Sequence, residues 1–250
     1  MNIYTPAVRR YLTRHGYDKA DPRGALIDMD GTLYDSMPLH AAAWQQMMRE
    51  VGVDVPLDEF FRYEGRTGAS TIDVLFHNAF GHGATEEEKT SLYGRKAELF
   101  AAMPPVDIMP GSLRVMDFLK RVGMERVLVT GSGQNTLLNR LDADFPGVFA
   151  ADRKITSRDV KHGKPLPEPY EKAMSIAGLK PWQCVVIENA PLGVESGYAS
   201  GAFTIGVTTG PLKECELTEA GADIVMCSMN ALADAFPLLY EALVTTEACL

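Results

Sequence analysis

Short, nearly continuous apolar runs alternate with segments of helical period along most of the chain. The apolar runs are GALID (24–28), RVLVT (126–130), CVVIE (184–188), AFTIGV (202–207) and ADIVM (222–226). Runs that are apolar throughout, and not only at every second position, fit strands buried on both faces. Helical period appears between them at 111–122, 134–142, 167–177, 191–199 and 229–243. Pro110-Gly111-Ser112 and Pro167-Glu168-Pro169 supply helix-entry signals for the first and third of these. Strand and helix in alternation predict an α/β fold, a parallel sheet covered by helices.

One region breaks the alternation. From Pro38 to Pro105 the pattern is helical only, in HAAAWQQMMREVG, STIDVLFHNAFG and TEEEKTSLYGRKAELFAAM, with glycine-containing turns between them. The expected organisation is therefore an N-terminal extension over 1–23, a sheet domain made of 24–37 and 106–250, and a helical cap over 38–105 inserted after the first strand.

Composition narrows the class. Apolar residues at 46% and charged residues at 23% are an ordinary globular balance with material for a core. A net charge of −9 argues against a nucleic-acid partner, which needs a basic face. Cys184, Cys215, Cys227 and Cys249 show no close paired spacing, so neither a zinc knuckle nor a disulfide framework is indicated, and a cytoplasmic location is expected. The arginines near the N-terminus are followed by no apolar run of the secretory kind. No window approaches the roughly 18 apolar residues of a membrane span.

The chemistry is concentrated where the strands end. In an open parallel sheet, ligands sit beyond the C-terminal ends of the strands near the point where strand order reverses. The first run ends in Asp28-Met29-Asp30-Gly31, two carboxylates one residue apart. The second ends in Thr130-Gly131-Ser132, Lys164 stands in Gly-Lys-Pro, and the next run ends in Glu188-Asn189. Two like charges that close are costly to bury unless a metal ion or a shared proton offsets them. Carboxylates, hydroxyls, backbone N–H groups and one lysine together suit phosphoryl transfer. A magnesium ion can draw on Asp28, the Asp30 carbonyl and Asn189. One aspartate can attack phosphorus while the other protonates the leaving oxygen. An EF-hand is excluded because Gly31 comes at the fourth position of the loop and Leu39 stands where the bidentate acid belongs. GSGQNT is no dinucleotide loop, since Thr136 fills the third glycine position.

Asp-Met-Asp-Gly-Thr-Leu, Val-Thr-Gly-Ser, Gly-Lys-Pro and Ile-Glu-Asn, in that order, resemble the motifs of the haloacid dehalogenase (HAD) superfamily over residues 24–240. The cap sits where the β-phosphoglucomutase-like branch carries its own. The resemblance implies a Rossmann-like core with a helical cap, a magnesium cofactor and a small phosphorylated substrate. It makes Asp28 the nucleophile, Asp30 the general acid/base, Thr130 a phosphate ligand and Lys164 the cation on the transferring group. Glu188 would stand behind the metal, and Asn189 departs from the aspartate that many relatives carry. His40 and Lys96 match cap and hinge residues that approach the substrate, with Gly131 and Ser132 beside it.

Within the cap, mutases of this branch look like Lys-Gly-x-x-Arg, whose cations hold the second phosphate of a sugar bisphosphate. This chain has Glu64-Gly65-Arg66-Thr67-Gly68. An acid in place of the lysine counts against mutase chemistry. EGRTGAST with IENAPLGVESG and TTGPL instead resembles bacterial HAD enzymes that hydrolyse inorganic pyrophosphate. The expected function is thus a magnesium-dependent phosphohydrolase acting on pyrophosphate or another small phosphate compound. The alternatives are a sugar-phosphate phosphatase or a β-phosphoglucomutase. Arg66 reads equally well as a phosphate ligand or a surface residue.

Overall fold

The computed structural model describes residues 2–133 and 135–248, and among these the side chains of Asn135 and Thr136 are excepted. Cys249 and Gln134 lie outside the described residues. Six parallel strands form one sheet in the order β3-β2-β1-β4-β5-β6. The strands are β1 (Gly24–Ile27), β2 (Glu125–Val129), β3 (Lys154–Ile155), β4 (Cys184–Glu188), β5 (Phe203–Val207) and β6 (Ile224–Met226). All residues of β1, β4 and β5 are buried, as their unbroken apolar runs require.

Alternate residues of the strands feed two apolar layers. On one face Leu26, Val127, Val129 and Val186 meet Tyr170, Ala173 and Met174 of helix α8 (Glu168–Ala177). On the other, Ile27, Leu128, Val185, Ile187 and Ile205 belong to a larger cluster. Helices α5 (Ser112–Arg121) and α11 (Met229–Thr245) complete that layer, with Phe118 and Phe236 in ring contact at 5.1 Å. Helices α9 (Pro191–Ala199) and α10 (Glu214–Glu219) follow β4 and β5.

Strand order reverses around β1. Leu128 of β2 and Ile187 of β4 both pair with Ile27, so the residues just past Ile27, Val129 and Ile187 share one rim of the sheet. That register alone gathers Asp28, Thr130 and Glu188.

The N-terminal segment is built into the core. Helix α1 (Thr5–His15) ends at Gly16 in the left-handed conformation and buries Val8, Tyr11 and Leu12. Tyr11 packs edge-on to Phe203 and donates to the Gly201 carbonyl, while Arg14 pairs with Asp223. The opposite terminus joins it, with the Ala248 N–H on the Asp18 carbonyl at 2.8 Å.

Between β1 and α5 the described residues form helices only: α2 (Met37–Glu50), a 3-10 turn at Leu57–Phe61, α3 (Gly68–Phe80) and α4 (Glu86–Ala101). Thr67 caps α3 through the Ser70 N–H, and Thr85 with Glu88 forms a capping box on α4. Met47, Phe60, Ile72, Phe76 and Phe100 fill the space between these helices.

Three details differ from the sequence reading. The helix expected over 134–142 is two short ones, α6 (Asn135–Leu138) and α7 (Leu141–Asp144). At the break, Arg140 turns to donate to the Val106 carbonyl. The two-residue β3 and the six-residue α10 were not expected at all.

Candidate active site

Asp28 continues the β1 ladder, its N–H donating to the Ile187 carbonyl at 3.1 Å. The residue is 4% exposed, and its side chain meets Lys164, itself 3% exposed, whose Nζ donates to Oδ1 at 2.5 Å. The same Nζ lies 2.5 Å from Glu188 Oε1 and 3.2 Å from the Val129 carbonyl, above the Tyr170 ring. Tyr170 donates its hydroxyl to Glu188 Oε1 at 2.7 Å, and the Asn189 N–H reaches the other Glu188 oxygen at 3.1 Å. One buried cation is thus shared by two buried carboxylates. Asp28 Oδ2, also buried, has no hydrogen-bond partner among the described residues. Burial pushes the Asp28 carboxyl well above the usual carboxylate range; Lys164 opposes this, and Glu188 and Asp30 add to it. Lys164, despite burial, is raised because both carboxylates favour its charged form.

Asp30, two residues on, faces the other way. Gly31 turns the chain at φ 77°, and a Cβ there would run into the Asn189 amide. Asp30 Oδ1 accepts from the Ser36 hydroxyl at 2.7 Å and lies 3.0 Å from His40 Nε2. His40 Nδ1 lies 2.6 Å from Lys96 Nζ, and its ring stacks on Phe100 at 4.0 Å. Nδ1 and Nζ cannot both donate to each other along this contact, so the pair carries at most one positive charge between them. Burial alone would raise the Asp30 carboxyl, but His40, Ser36 and Lys96 together hold it below its usual range. Burial and the neighbouring Lys96 lower His40, and burial brings Lys96 down to about 7.

The loop from Glu64 to Thr67 enters this site from the cap. Both oxygens of Glu64 accept from Asn189 Nδ2 at 3.0 Å, and burial first, then Asp28, pushes the Glu64 carboxyl well above its usual range. The residue is half-buried as a whole, with its carboxyl end deep. The loop is tightly seated: a Cβ on Gly131 would lie 2.5 Å from the Gly65 carbonyl oxygen, and one on Gly163 would lie 2.9 Å from Thr67 Cγ2. Arg66 donates to the Ser70 hydroxyl, while its Nε is buried with no partner among the described residues. Asp28, Asp30, His40, Glu64, Arg66, Lys96, Thr130, Gly131 and Ser132 all line one cavity between cap and core. Thr130 Oγ1 accepts the Ser132 N–H at 3.0 Å.

Residues 22–201 match the haloacid dehalogenase-like hydrolase family. The chain belongs to that family. A solved structure described as a putative β-phosphoglucomutase from Bacteroides vulgatus is 45% identical, with a TM-score of 0.94 and coverage of 97% of this chain and 99% of that one. Hexitol phosphatase A of Escherichia coli is 30% identical over 84% of this chain and 93% of its own length. The 2-deoxyglucose-6-phosphate phosphatase 2 of Saccharomyces cerevisiae is 28% identical over 83% and 88%. The family fold accounts for the parallel sheet and the strand-end site.

Among the described residues no group of three or more His, Cys, Asp or Glu side chains is arranged as a metal cluster. Magnesium asks less of side chains, since it keeps several waters and takes one or two carboxylates with carbonyl or amide oxygens. The orphaned Asp28 Oδ2 and the excess of buried carboxylates fit such an ion.

Several site residues escaped the sequence reading. Ser36 and Tyr170 hold Asp30 and Glu188. Thr32 donates to Asn189 Oδ1 at 3.3 Å, and Thr209 donates to the Gly31 carbonyl at 2.5 Å. Thr32 and Thr209 stand inside the DMDGTL and TTGPL stretches, and Tyr170 six residues after the Gly-Lys-Pro lysine, so each had a local signal that assigned it no role, whereas Ser36 had none.

Proposed function

We propose that this protein is a phosphohydrolase in which Asp28 accepts the phosphoryl group of a small phosphate compound and water then releases it. The observation that carries this reading is the state of the Asp28 carboxylate. Lys164 fixes one oxygen, and the other is buried without a partner among the described residues. Attack by Asp28 forms an O–P bond and breaks the bond to the leaving group, leaving an aspartyl phosphate. Asp30 gives a proton to the departing oxygen and takes one from the attacking water. Lys164, Thr130 and the backbone at Gly131 suit the equatorial oxygens of the group in transit.

Magnesium fits the donor set, with Asp28, the Asp30 carbonyl and Asn189 as ligands and Glu188 behind them. When bound, it supplies positive charge to carboxylates that burial otherwise drives toward protonation. The three described cysteines are free, two of them exposed, which accords with a reducing cytoplasm. No helix among the described residues is long and apolar enough to cross a membrane.

The relatives support phosphorylated sugars and polyols as the substrate class, ahead of the pyrophosphate that the sequence suggested. Hexitol and deoxyglucose phosphatases are among them, and the solved structure at 45% identity is described as a putative mutase of a sugar phosphate. Pyrophosphate stays as a second reading on one observation. The Glu64 carboxyl, held by Asn189, lines the cavity where the mutases' phosphate-clamping lysine stands in the resemblance, which removes the clamp for a second phosphate on a sugar and suits a compact leaving group. The test is phosphate release with magnesium from hexitol, hexose and glycerol phosphates and from pyrophosphate, alongside conversion of β-glucose 1-phosphate to glucose 6-phosphate. Release from sugar or polyol phosphates ahead of pyrophosphate is expected, without mutase conversion. A pyrophosphate preference transfers the substrate to the second reading.

A further inference from the structure

The cap touches the core at a second place, remote in sequence from Glu64. Tyr93 of α4 lies against Gly68, the first residue of α3. Gly68 is buried, and a Cβ on it would fall within the Tyr93 ring. Only a residue without a side chain lets the ring lie there. Trp44 flanks the same ring, with centroids 6.2 Å apart. From this seat the Tyr93 hydroxyl crosses to the core and accepts the Gly133 N–H at 3.2 Å. Gly133 is confined as well, since an added Cβ would lie 2.7 Å from Ser157 Oγ and 3.7 Å from the Tyr93 hydroxyl. Tyr93 and Gly68 line the cavity that holds Asp28 and Asp30. A large ring anchored at its base by packing and at its tip by a hydrogen bond cannot swing aside without losing one of them.

We propose that Tyr93 is a specificity-determining wall of this cavity. Its ring over Gly68 and its hydroxyl on Gly133 limit the length of leaving group that is accepted with the cap seated. The inference rests on Asp28 as the phosphoryl acceptor, because the leaving group extends from phosphorus at Asp28 into the space the ring bounds. Tyr93 acts by exclusion and touches no reacting bond.

The experiment compares wild type, Tyr93→Ala and Tyr93→Phe on a three-carbon and a six-carbon polyol phosphate. In Tyr93→Ala the six- to three-carbon ratio of kcat/KM is expected to rise roughly tenfold or more as the wall is removed. Tyr93→Phe keeps the ring and loses the bond to Gly133, so the ratio stays put while both substrates fall by about fivefold. Should Tyr93→Ala fail to fold, Tyr93→Leu carries the same expectation with an apolar side chain kept on α4. An equal change on both substrates overturns the wall and leaves Tyr93 as a fastening between cap and core. The phosphohydrolase reading fails separately, if wild type releases phosphate from neither ester. Calorimetric binding of three- and six-carbon alkyl phosphonates then decides the wall. A rise of roughly tenfold in relative affinity for the longer one in Tyr93→Ala supports it, and an unchanged ratio overturns it.

Discussion

Asp28 and Asp30 are separated by one residue, yet they sit in opposite surroundings. Asp28 is held from the core: Glu188 comes from the end of β4, where sheet register sets it beside Asp28, Tyr170 from α8, and Lys164 from the loop before α8. Asp30 is held from the cap side by Ser36, His40 and, through His40, Lys96. Burial dominates the first and raises its carboxyl, whereas hydrogen bonds and the cap's positive charge prevail at the second and lower it. These shifts do not by themselves assign the roles, since a nucleophile must be ionised and a proton donor protonated; Asp28 as nucleophile needs a cation that lowers its carboxyl again. The difference also separates a permanent half-site from one that is complete only with the cap in place.

The sharpest way to break the comparison is at the core half. Asp28→Asn keeps size and burial but cannot attack phosphorus, so phosphate release is expected to fall by roughly 10⁴–10⁶-fold in a protein whose circular dichroism is unchanged. A rate near wild type would remove the nucleophile assignment. Chelation acts on the same half: EDTA is expected to abolish turnover and magnesium to restore it. Full activity in chelator would show that Lys164 alone offsets the carboxylates.

The cap half is expected to matter less and more selectively. Asp30→Asn loses the proton donor, which costs roughly 10²–10⁴-fold with an alkyl alcohol as leaving group. An aryl ester whose phenolate leaves unaided should be affected far less. Equal losses on both esters would mean that Asp30 positions the site and transfers no proton.

How much of this was legible before the fold was known divides along the same line. The core half was readable because β1, β2 and β4 are apolar runs, and each places its chemical residue at its own C-terminal end. The two-residue β3 is too short to show a period, and α10 buries little beyond Leu217. The cap half was readable as helices and as the resemblance of His40 and Lys96, but not as a relay. Ser36 reaches Asp30 only because Gly31 turns the chain back at φ 77°. Tyr93 reaches Gly133 across 40 residues of sequence, a contact that no local pattern records.

Glu64 tests whether the cap also chooses the substrate. Glu64→Asn keeps the size, replaces the carboxyl beside Asp28 with an amide and is expected to raise the ratio of sugar-phosphate to pyrophosphate turnover. A tenfold shift in kcat/KM corresponds to about 1.4 kcal/mol of differential transition-state binding, a modest demand on one buried carboxyl. Equal loss on both classes would make Glu64 a residue of cap seating and no selector.

The smallest effect concerns stability, and it bears on where the cap's positive charge resides. Lys96 is fully enclosed, and burial lowers its pKa to about 7, with Asp30 opposing. An unfolded lysine keeps its proton to about 10.4. Between these values the unfolded chain binds more protons than the folded one, so this residue's contribution to stability rises as the pH rises from about 7 toward 10 and is lost as the pH falls back through 7. Lys96→Met removes the titration. The unfolding free energy of wild type minus that of Lys96→Met, measured in urea at pH 6, 7.5 and 9, is therefore expected to increase with pH. The slope is bounded by about 1.4 kcal/mol per pH unit and is reduced because His40 shares the proton. A difference that stays flat over this range would mean that Lys96 remains an ammonium throughout. His40 would then be permanently neutral, donating from Nε2 to Asp30, and the cap half would hold a fixed charge in place of a titrating one.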